Sequence, residues 1–447
     1  MFKRKILSAI QDWKNRNSSK KKALIVKGLR QVGKTYIVDY FAHENYESVI
    51  YINFKSNPEY KNIFSGSLVV DDLKTNISVN ILNSRFVDND TLIILDEIQE
   101  CNNARSSLKN FCLDGRYDVI CTGSLLGIKG YNREVGAGPS TGYEETLVMK
   151  PMDFEEFLWA RGIDESVLNT LNDAYTNKKK INDTINNNLK RFFKEYICVG
   201  GMPAIVEEYI NTRNMNVVYK SQRNLIESYK DDFGKYINKK GEESVNYSLL
   251  TKINKVFDSV PSQLAKENKK FAYADLGKDA KKSTYEEAID WLINFGLIVP
   301  CFCLNIPELP LEGNKDPDIF KLYFADTGLF MSQLDEDIYR EILEDDLKIY
   351  KGAIYENIVA DAFNKLNKKL YYYKRSSGLE IDFISVIDNR LSAVEVKAKG
   401  GKSKSLKEVL TNKEKYDVEV GYKLGDYNIG INNNIITLPH YMSFLLK

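Results

Sequence analysis

Gly28-Leu-Arg-Gln-Val-Gly33-Lys34-Thr35 matches G-x-x-x-x-G-K-[ST] at every fixed position. The residues before it, Ala23-Leu-Ile-Val26, predict a short buried strand, and Tyr36-Ile-Val-Asp-Tyr-Phe41 after it predicts the opening of a helix. A strand, a glycine loop and a helix in that order aim backbone N–H groups at a phosphate, where orphan donors and the helix dipole both favour negative charge. Lys34 is expected to reach the β/γ-phosphates, and the Thr35 hydroxyl to ligate Mg²⁺. Gly28, Leu29, Arg30, Gln31, Val32, Gly33, Lys34, Thr35 and Tyr36 are therefore the candidate nucleotide cradle. ATP and Mg²⁺ are the expected ligands.

A second stretch points from binding toward hydrolysis. Thr91-Leu-Ile-Ile-Leu95 is an unbroken apolar run, as expected of a strand covered on both faces of a parallel sheet. It ends in Asp96-Glu97, at the strand edge where α/β sheets hold ligands. Asp96 is the candidate for the Mg²⁺ shell and Glu97 for orienting or deprotonating the attacking water. The other reading is a plain acidic helix start, which the helix dipole also favours. A further strand, Asp118-Val-Ile-Cys121, leads to Thr122-Gly-Ser124, where Ser124 is the first candidate for sensing the γ-phosphate and Thr122 the second.

The chain has 447 residues, enough for two or three domains, and a net charge of +1. That balance excludes a global field drawing the protein onto nucleic acid or membrane, so any basic patch must be local. Six cysteines lie mostly inside apolar runs without disulfide-framework spacing, as expected of reduced thiols in a cytoplasmic protein. Cys301-Phe-Cys303 is not read as a zinc site, because His43 and His440 are the only histidines and no second cysteine pair lies nearby. No signal-peptide core or membrane-length apolar stretch is expected, so no membrane partner is assigned.

The predicted order starts with a helix over 1–15. Parallel strands follow near 23–27, 49–54, 91–95, 118–121 and 144–149. Helices are expected from Asp153 to Ile237, interrupted at Gly200-Gly-Met-Pro203, with 177–188 read as a loop or frayed end. Residues 246–304 predict two or three helices and a strand pair ending at Cys303, and the Pro-rich stretch 307–317 a loop or wing tip. From Lys351 the pattern is helix–strand–strand–strand–helix–strand. The expected fold is a P-loop parallel sheet over 1–195, a helical and winged-helix-like region over 196–335, and a small α/β domain over 336–447.

That last domain carries its own charged pattern. Glu356 falls on the predicted helix Ala353–Leu366, Asp382 inside the apolar strand Leu379–Val386, and Glu395 and Lys397 flank Val396. Charges in apolar strands are costly unless they pair or ligate. Asp382 and Glu395 could hold Mg²⁺ while Lys397 steadies a water or phosphate, which is phosphodiester chemistry. A solvent-facing strand with an internal Glu–Lys pair is the alternative.

Together these residues resemble prokaryotic AAA-type ATP-binding proteins with a C-terminal nuclease-like domain of unknown function. The resemblance rests on the P-loop, Leu95-Asp-Glu-Ile-Gln99, Thr122-Gly-Ser-Leu-Leu-Gly127, Lys150-Pro-Met-Asp-Phe-Glu-Glu-Phe-Leu158 and Gly200-Gly-Met-Pro203. It continues through Ser262-Gln-Leu-Ala265, Leu322-Tyr-Phe-Ala-Asp-Thr-Gly328, Glu380-Ile-Asp-Phe383 and Glu395-Val-Lys397. It implies an ATPase core, a winged-helix-like middle and a PD-(D/E)xK-like end, with Lys34, Thr35, Asp96 and Glu97 at the nucleotide and Asp382, Glu395 and Lys397 in the nuclease-like core. Arg105, Arg116, Arg133 and Arg161 are all available as an arginine finger, and the sequence does not choose among them. Val260-Pro-Ser-Gln-Leu-Ala265 with Lys266, Lys269, Lys270, Lys278, Lys281 and Lys282 resembles a helix-turn-helix entry that could meet DNA phosphates, or a solvated face. DNA or RNA and further copies of the chain are the candidate partners. Two functions stay open: an ATP-driven machine that cuts or grips nucleic acid, and a nucleotide-gated switch that binds a partner without cutting.

Overall fold

The computed structural model describes residues 2–17, 21–125, 142–237, 246–347, 350–376, 378–398 and 400–447. They fall into two compact units, one centred on Arg4–Lys150 and the other on Pro151–Phe233 with Tyr247–Lys447.

In the first unit, helix α1 (Ile6–Lys14) precedes β1 (Ala23–Gly28), α2 (Lys34–Asn45), β2 (Ser48–Asn53), α3 (Val70–Asn80), β3 (Thr91–Asp96), α4 (Asn102–Asp114), β4 (Asp118–Ser124) and β5 (Glu144–Met149). The five strands are parallel in the order β2-β3-β4-β1-β5. Leu24, Ile25 and Val26 of β1 and Leu92 to Leu95 of β3 are fully buried, which is why both runs are apolar without alternation. Each such side chain contributes about 1.5–3 kcal/mol by leaving water. Helix α2 buries Ile37, Val38, Phe41 and Ala42 and turns Tyr36 and Tyr40 outward, the period of a helix lying on a sheet. The register sets Gly28 beside Ser124 and Asn53 beside Asp96, so the strand ends that carry the candidate residues share one edge of the sheet.

The second unit opens with helices α5 (Phe154–Ala160), α6 (Glu165–Asn177), α7 (Asp183–Val199), α8 (Pro203–Thr212), α9 (Met215–Ile237), α10 (Tyr247–Leu264) and α11 (Lys282–Phe295). Strands β6 (Ile298–Leu304) and β7 (Lys315–Phe324) come next, with short helices α12 (Thr327–Met331) and α13 (Asp337–Leu343). The chain ends with α14 (Lys351–Lys365), β8 (Leu370–Lys374), β9 (Glu380–Ile387), β10 (Arg390–Val396), α15 (Lys404–Thr411), β11 (Val420–Gly425), β12 (Gly430–Asn432) and β13 (Ile435–Pro439). All eight strands form one mixed sheet, β12-β13-β11-β10-β9-β8-β6-β7. Within it β8, β9 and β10 run antiparallel in turn, and β11 returns parallel to β10 after α15.

The architecture is the expected one: a parallel α/β sheet, a helical region, then a mixed-sheet end. Three local expectations are corrected. The strand pair ending at Cys303 is a single strand, β6, whose antiparallel partner β7 lies beyond the Pro-rich loop. The polar stretch 177–188 is largely the start of α7, because Asn182 caps the Thr184 N–H (2.9 Å) and Asn186 accepts from the buried Tyr441 hydroxyl (2.8 Å). One final strand becomes three, the short β12 and β13 adding to β11.

Motifs far apart in sequence meet inside the second unit. Met152 N–H donates to the Gly201 carbonyl (2.7 Å) and the Tyr196 hydroxyl to the Met152 carbonyl (2.8 Å). Gly201 N–H donates to Asp326 (2.7 Å), and the Lys365 ammonium reaches Asp326 (3.2 Å), Asp361 and Tyr196 (2.9 Å each). Asp326 is fully buried, so its charge is tolerated only because these donors surround it.

Candidate functional site

The P-loop leaves β1 at Gly28, where a Cβ would stand 2.2 Å from the Met149 carbonyl oxygen, so glycine is a packing requirement there. Val32 is fully buried, Leu29 nearly so, Gln31 takes a left-handed backbone, and Gly33 caps α2 at φ 89°. Tyr36 projects outward at 60% exposure, so it lies on the open side of the helix. Arg4 braces the loop from outside the motif: its guanidinium donates to the Val32 carbonyl (3.2 Å) and the Lys150 carbonyl (2.7 Å). The buried Lys34 ammonium donates to the Gly28 (3.1 Å) and Leu29 (2.8 Å) carbonyls. Burial pulls its pKa down to about 8, against the opposing pull of Glu97 and Asp96.

Asp96 is the hub of the site. Its carboxylate is buried and accepts from the Thr35 hydroxyl (3.2 Å), the Tyr51 hydroxyl (2.6 Å), the Asn53 amide (2.9 Å), the Glu97 N–H (3.1 Å) and, most closely, the Thr122 hydroxyl. Five donors fix the carboxylate in place. Thr35 and Asp96 thus present a hydroxyl and a carboxylate side by side, a hard oxygen set that suits Mg²⁺ supplemented by phosphate oxygens. When bound there, Mg²⁺ would offset negative charge on the phosphates.

Glu97 follows in a left-handed conformation (φ 56°), where non-glycine residues are rare and tend to mark functional turns. Its carboxylate takes a close hydrogen bond from the Gln99 amide. Ser124 is buried opposite Gly28, whereas Thr122, the second candidate, is the hydroxyl that touches Asp96. Tyr51, Asn53 and Arg4 escaped the sequence reading, and Gln99 entered it only as the end of the Leu95–Gln99 motif, with no role. Their only signal was Asn53's place at the C-terminal end of an expected strand.

Among the arginine-finger candidates, Arg105 makes a two-pronged pair with Glu144 (3.0 and 2.7 Å), Arg116 pairs with Asp114 and Asp71 (2.7 Å each), and Arg161 pairs with Glu195 (3.0 Å). Arg133, and Leu126-Gly127 of the Thr122 motif, lie outside the described residues.

A pH consequence follows from Lys34. Phosphate binding favours its charged form, and that form is lost from the free protein as pH rises through about 8. Nucleotide affinity is therefore expected to fall about tenfold between pH 7 and pH 9. A flat affinity profile by equilibrium titration over that range would mean that Lys34 stays protonated or does not hold the phosphates.

The C-terminal residues are built differently. Asp382 on β9 and Glu395 on β10 follow the last paired residues Phe383 and Val394, which makes them neighbours across the two strands. Asp382 accepts the Val396 N–H (2.8 Å). Lys397 stands just beyond β10 and pairs with Glu395 (2.6 Å), whose second oxygen is buried without a partner. Glu356, on α14, is buried and held by the Lys269 ammonium, the Tyr323 hydroxyl (3.1 Å) and Lys321 (3.7 Å). Lys321 is almost fully buried and also binds Glu380 (2.9 Å), which takes Lys374 as well (2.8 Å). Asp382 is partly exposed as a residue, but its carboxyl is enclosed: burial pushes it up to about 7, with Glu356 adding and Lys321 opposing. For Glu356, burial raises the pKa, but Lys321 and Lys269 outweigh it and hold the carboxyl below its ordinary range. Among the described residues no group of three or more acidic, histidine or cysteine side chains is arranged to hold a metal. Lysine ammoniums compensate Glu356 and Glu380, and Lys397 compensates Glu395.

Of the lysines in the middle region, Lys266, Lys269 and Lys282 are ion-paired, with Asp275, Glu356 and Asp318 respectively. Pairing leaves that face less positive than its sequence implies.

Residues 20–158 match the family described as AAA domain. Residues 190–347 and 351–441 match two families described as domains of unknown function (DUF8612 and DUF4143). No curated protein matches the chain. Among solved structures, a Walker-type ATPase of Pyrococcus abyssi is similar at 11% identity and TM-score 0.41, over 74% of this chain and 96% of its own. The ADP form of the ORC2 protein of Aeropyrum pernix is similar at 12% identity and TM-score 0.28, over 76% and 93%. AMPPCP-bound DnaA of Aquifex aeolicus is similar at 10% identity and TM-score 0.26, over 64% and 86%. Likeness at these scores says nothing about function. The family match and the P-loop geometry together define the class: the chain carries an AAA-type P-loop ATPase domain, built to bind nucleotide. No helix among the described residues is long and apolar enough to cross a membrane.

Proposed function

We propose that this protein hydrolyses ATP with Mg²⁺ and couples the nucleotide state to a nuclease-like C-terminal domain that associates with DNA or RNA. The observation that carries hydrolysis is the juxtaposition at the sheet edge. Asp96 is locked by five donors beside Thr35, and Glu97 follows directly on a strained turn. In this reading Lys34 holds the phosphates, and Glu97 orients the water and takes its proton. Ser124 and Thr122 are the γ-phosphate side of the site. A cytoplasmic location, supported by six unbridged cysteines, and self-association belong to the same reading.

The nuclease-like assignment draws support from the order α14-β8-β9-β10-α15-β11, with antiparallel β8–β10 and parallel β11, and from Asp382 and Glu395 on adjacent strands. Against cutting stands the lysine-filled carboxylate cluster. That favours the second reading, a nucleotide-gated switch whose C-terminal domain grips without cleaving.

ATP turnover with and without DNA or RNA tests the coupling, and stimulation by nucleic acid is the expected result. Incubating the wild type and Asp382→Ala with labelled DNA or RNA and Mg²⁺ or Mn²⁺ tests cleavage. Salt-sensitive binding without cutting in either protein is expected, because lysine–phosphate contacts are separate from the carboxylates. Cutting by the wild type alone would restore Asp382, Glu395 and Lys397 as a working centre.

A further inference from the structure

Asp96 has more donors around it than it has lone pairs. A carboxylate offers about four acceptor places on its two oxygens. On Oδ1 they are met by the Glu97 N–H (3.1 Å) and the Thr122 hydroxyl, and on Oδ2 by the Tyr51 hydroxyl (2.6 Å) and the Asn53 amide (2.9 Å). The Thr35 hydroxyl makes a fifth, longer contact, 3.2 Å from both oxygens. The four closer donors fill the four places, which leaves none for a metal ion or for a water in its shell. A divalent ion therefore reaches Asp96 only if one of these donors gives way.

Three of the four are fixed. The Glu97 N–H belongs to the backbone of the left-handed turn. Thr122 is buried on β4, at 1% exposure. The Asn53 side chain is pinned from its other end: its Oδ1 accepts the Lys55 (3.0 Å) and Ser56 (2.7 Å) N–H groups and so closes the turn after β2. Tyr51 differs from all three. It lies on β2, the edge strand of its sheet, and is 39% exposed. Among the described residues its hydroxyl touches only Asp96 and the Asn53 amide (3.1 Å). Turned toward water, that hydroxyl stays solvated, whereas release of any other donor would bury an unpaired group or undo a turn.

We propose that Tyr51 is a positioning residue for the metal: its hydroxyl holds Asp96 and must turn away before Asp96 can serve Mg²⁺, so Tyr51 sets how tightly the site takes the ion. This role rests on the reading that Thr35 and Asp96 hold Mg²⁺. A site guarded in this way takes the bare ion weakly, and the phosphate oxygens of a nucleotide, which add ligands of their own, tip the balance. Tyr51 thereby ties metal entry to nucleotide entry without touching the reacting atoms.

The test uses the full chain and Mn²⁺ as the probe, because its paramagnetism lets bound ion be counted directly. Binding is measured without nucleotide and with ADP, in the wild type, Tyr51→Phe, Asp96→Asn and the double variant. Only the binding that Asp96→Asn removes is assigned to this site. Tyr51→Phe keeps the ring and drops only the hydroxyl. With or without ADP, it is expected to bind Mn²⁺ about tenfold tighter than the wild type, as for release of one charge-assisted hydrogen bond. The double variant should show no such gain. A residue that merely supports Asp96 would give equal or weaker binding when its hydroxyl is removed, and that result overturns the role of Tyr51 while the Mg²⁺ reading stands. A gain that persists in the double variant overturns it too, since the effect would not pass through Asp96. If no protein shows Asp96-dependent Mn²⁺ binding even with ADP, the Mg²⁺ reading and the role of Tyr51 fall together.

Discussion

Glu97→Gln is expected to bind ATP as the wild type does and to turn it over about 10²–10⁴-fold more slowly, the usual contribution of a positioned general base. The substitution keeps the shape of the side chain and the left-handed turn that places it. It also leaves Asp96 with all five of its donors, none of which is the Glu97 side chain. The phosphates keep Lys34 and the loop N–H groups, so binding has no reason to change. Only the ability to draw a proton from water is lost. Single-turnover measurements on nucleotide-loaded protein isolate that step from product release. A variant that hydrolyses ATP at the wild-type rate would take Glu97 out of the chemistry and leave it a turn residue.

Lys321→Ala should have the largest effect on stability, a loss of about 3–5 kcal/mol, as when one partner of a buried ion pair is removed. The ammonium is almost fully buried and faces Glu356 and Glu380, with Asp382 close enough to act on its charge. Without it, Glu356 keeps only Lys269 and the Tyr323 hydroxyl, while Asp382 keeps a like-charged neighbour. Denaturant titration measures the loss. Adding Glu356→Gln to Lys321→Ala should recover part of it, because a neutral amide is cheaper to leave in that place than a carboxylate. A single variant within about 0.5 kcal/mol of wild type would class the cluster with ordinary surface pairs.

The legible parts of this protein were the local ones. Strand, loop and helix around Lys34 occupy neighbouring stretches of chain, and the apolar run into Asp96-Glu97 states its own burial. The donors that fix Asp96 come instead from sheet order. Tyr51 and Asn53 matter because β2 lies next to β3, a fact about non-local pairing that no single strand announces. The same holds for Glu356, whose lysine partner Lys269 lies 87 residues earlier in the chain. From sequence Glu356 looked like part of an acidic constellation, because its compensating charge was out of view. The β6–β7 hairpin was misjudged for a related reason: the Pro-rich loop hid the second strand, and the β-bulge after Phe302 breaks the regular pairing.

The eight-stranded sheet has a practical consequence for anyone wishing to dissect the chain. A fragment beginning at Lys351 would hold β8 to β13 and look self-sufficient, yet in the intact protein β8 is zipped along β6 from Leu370 to Tyr373. Cutting there would bare a row of unpaired N–H and C=O groups flanked by tyrosines, the kind of open edge that recruits other chains. It would also strip Glu356 of Lys269, Lys321 and Tyr323 at once. Such a fragment would clump through that edge, and any loss of binding it showed would report on the cut and not on the site. The smallest piece worth purifying from this end therefore starts before Tyr247, where α10 and the strands that seal the sheet are still attached.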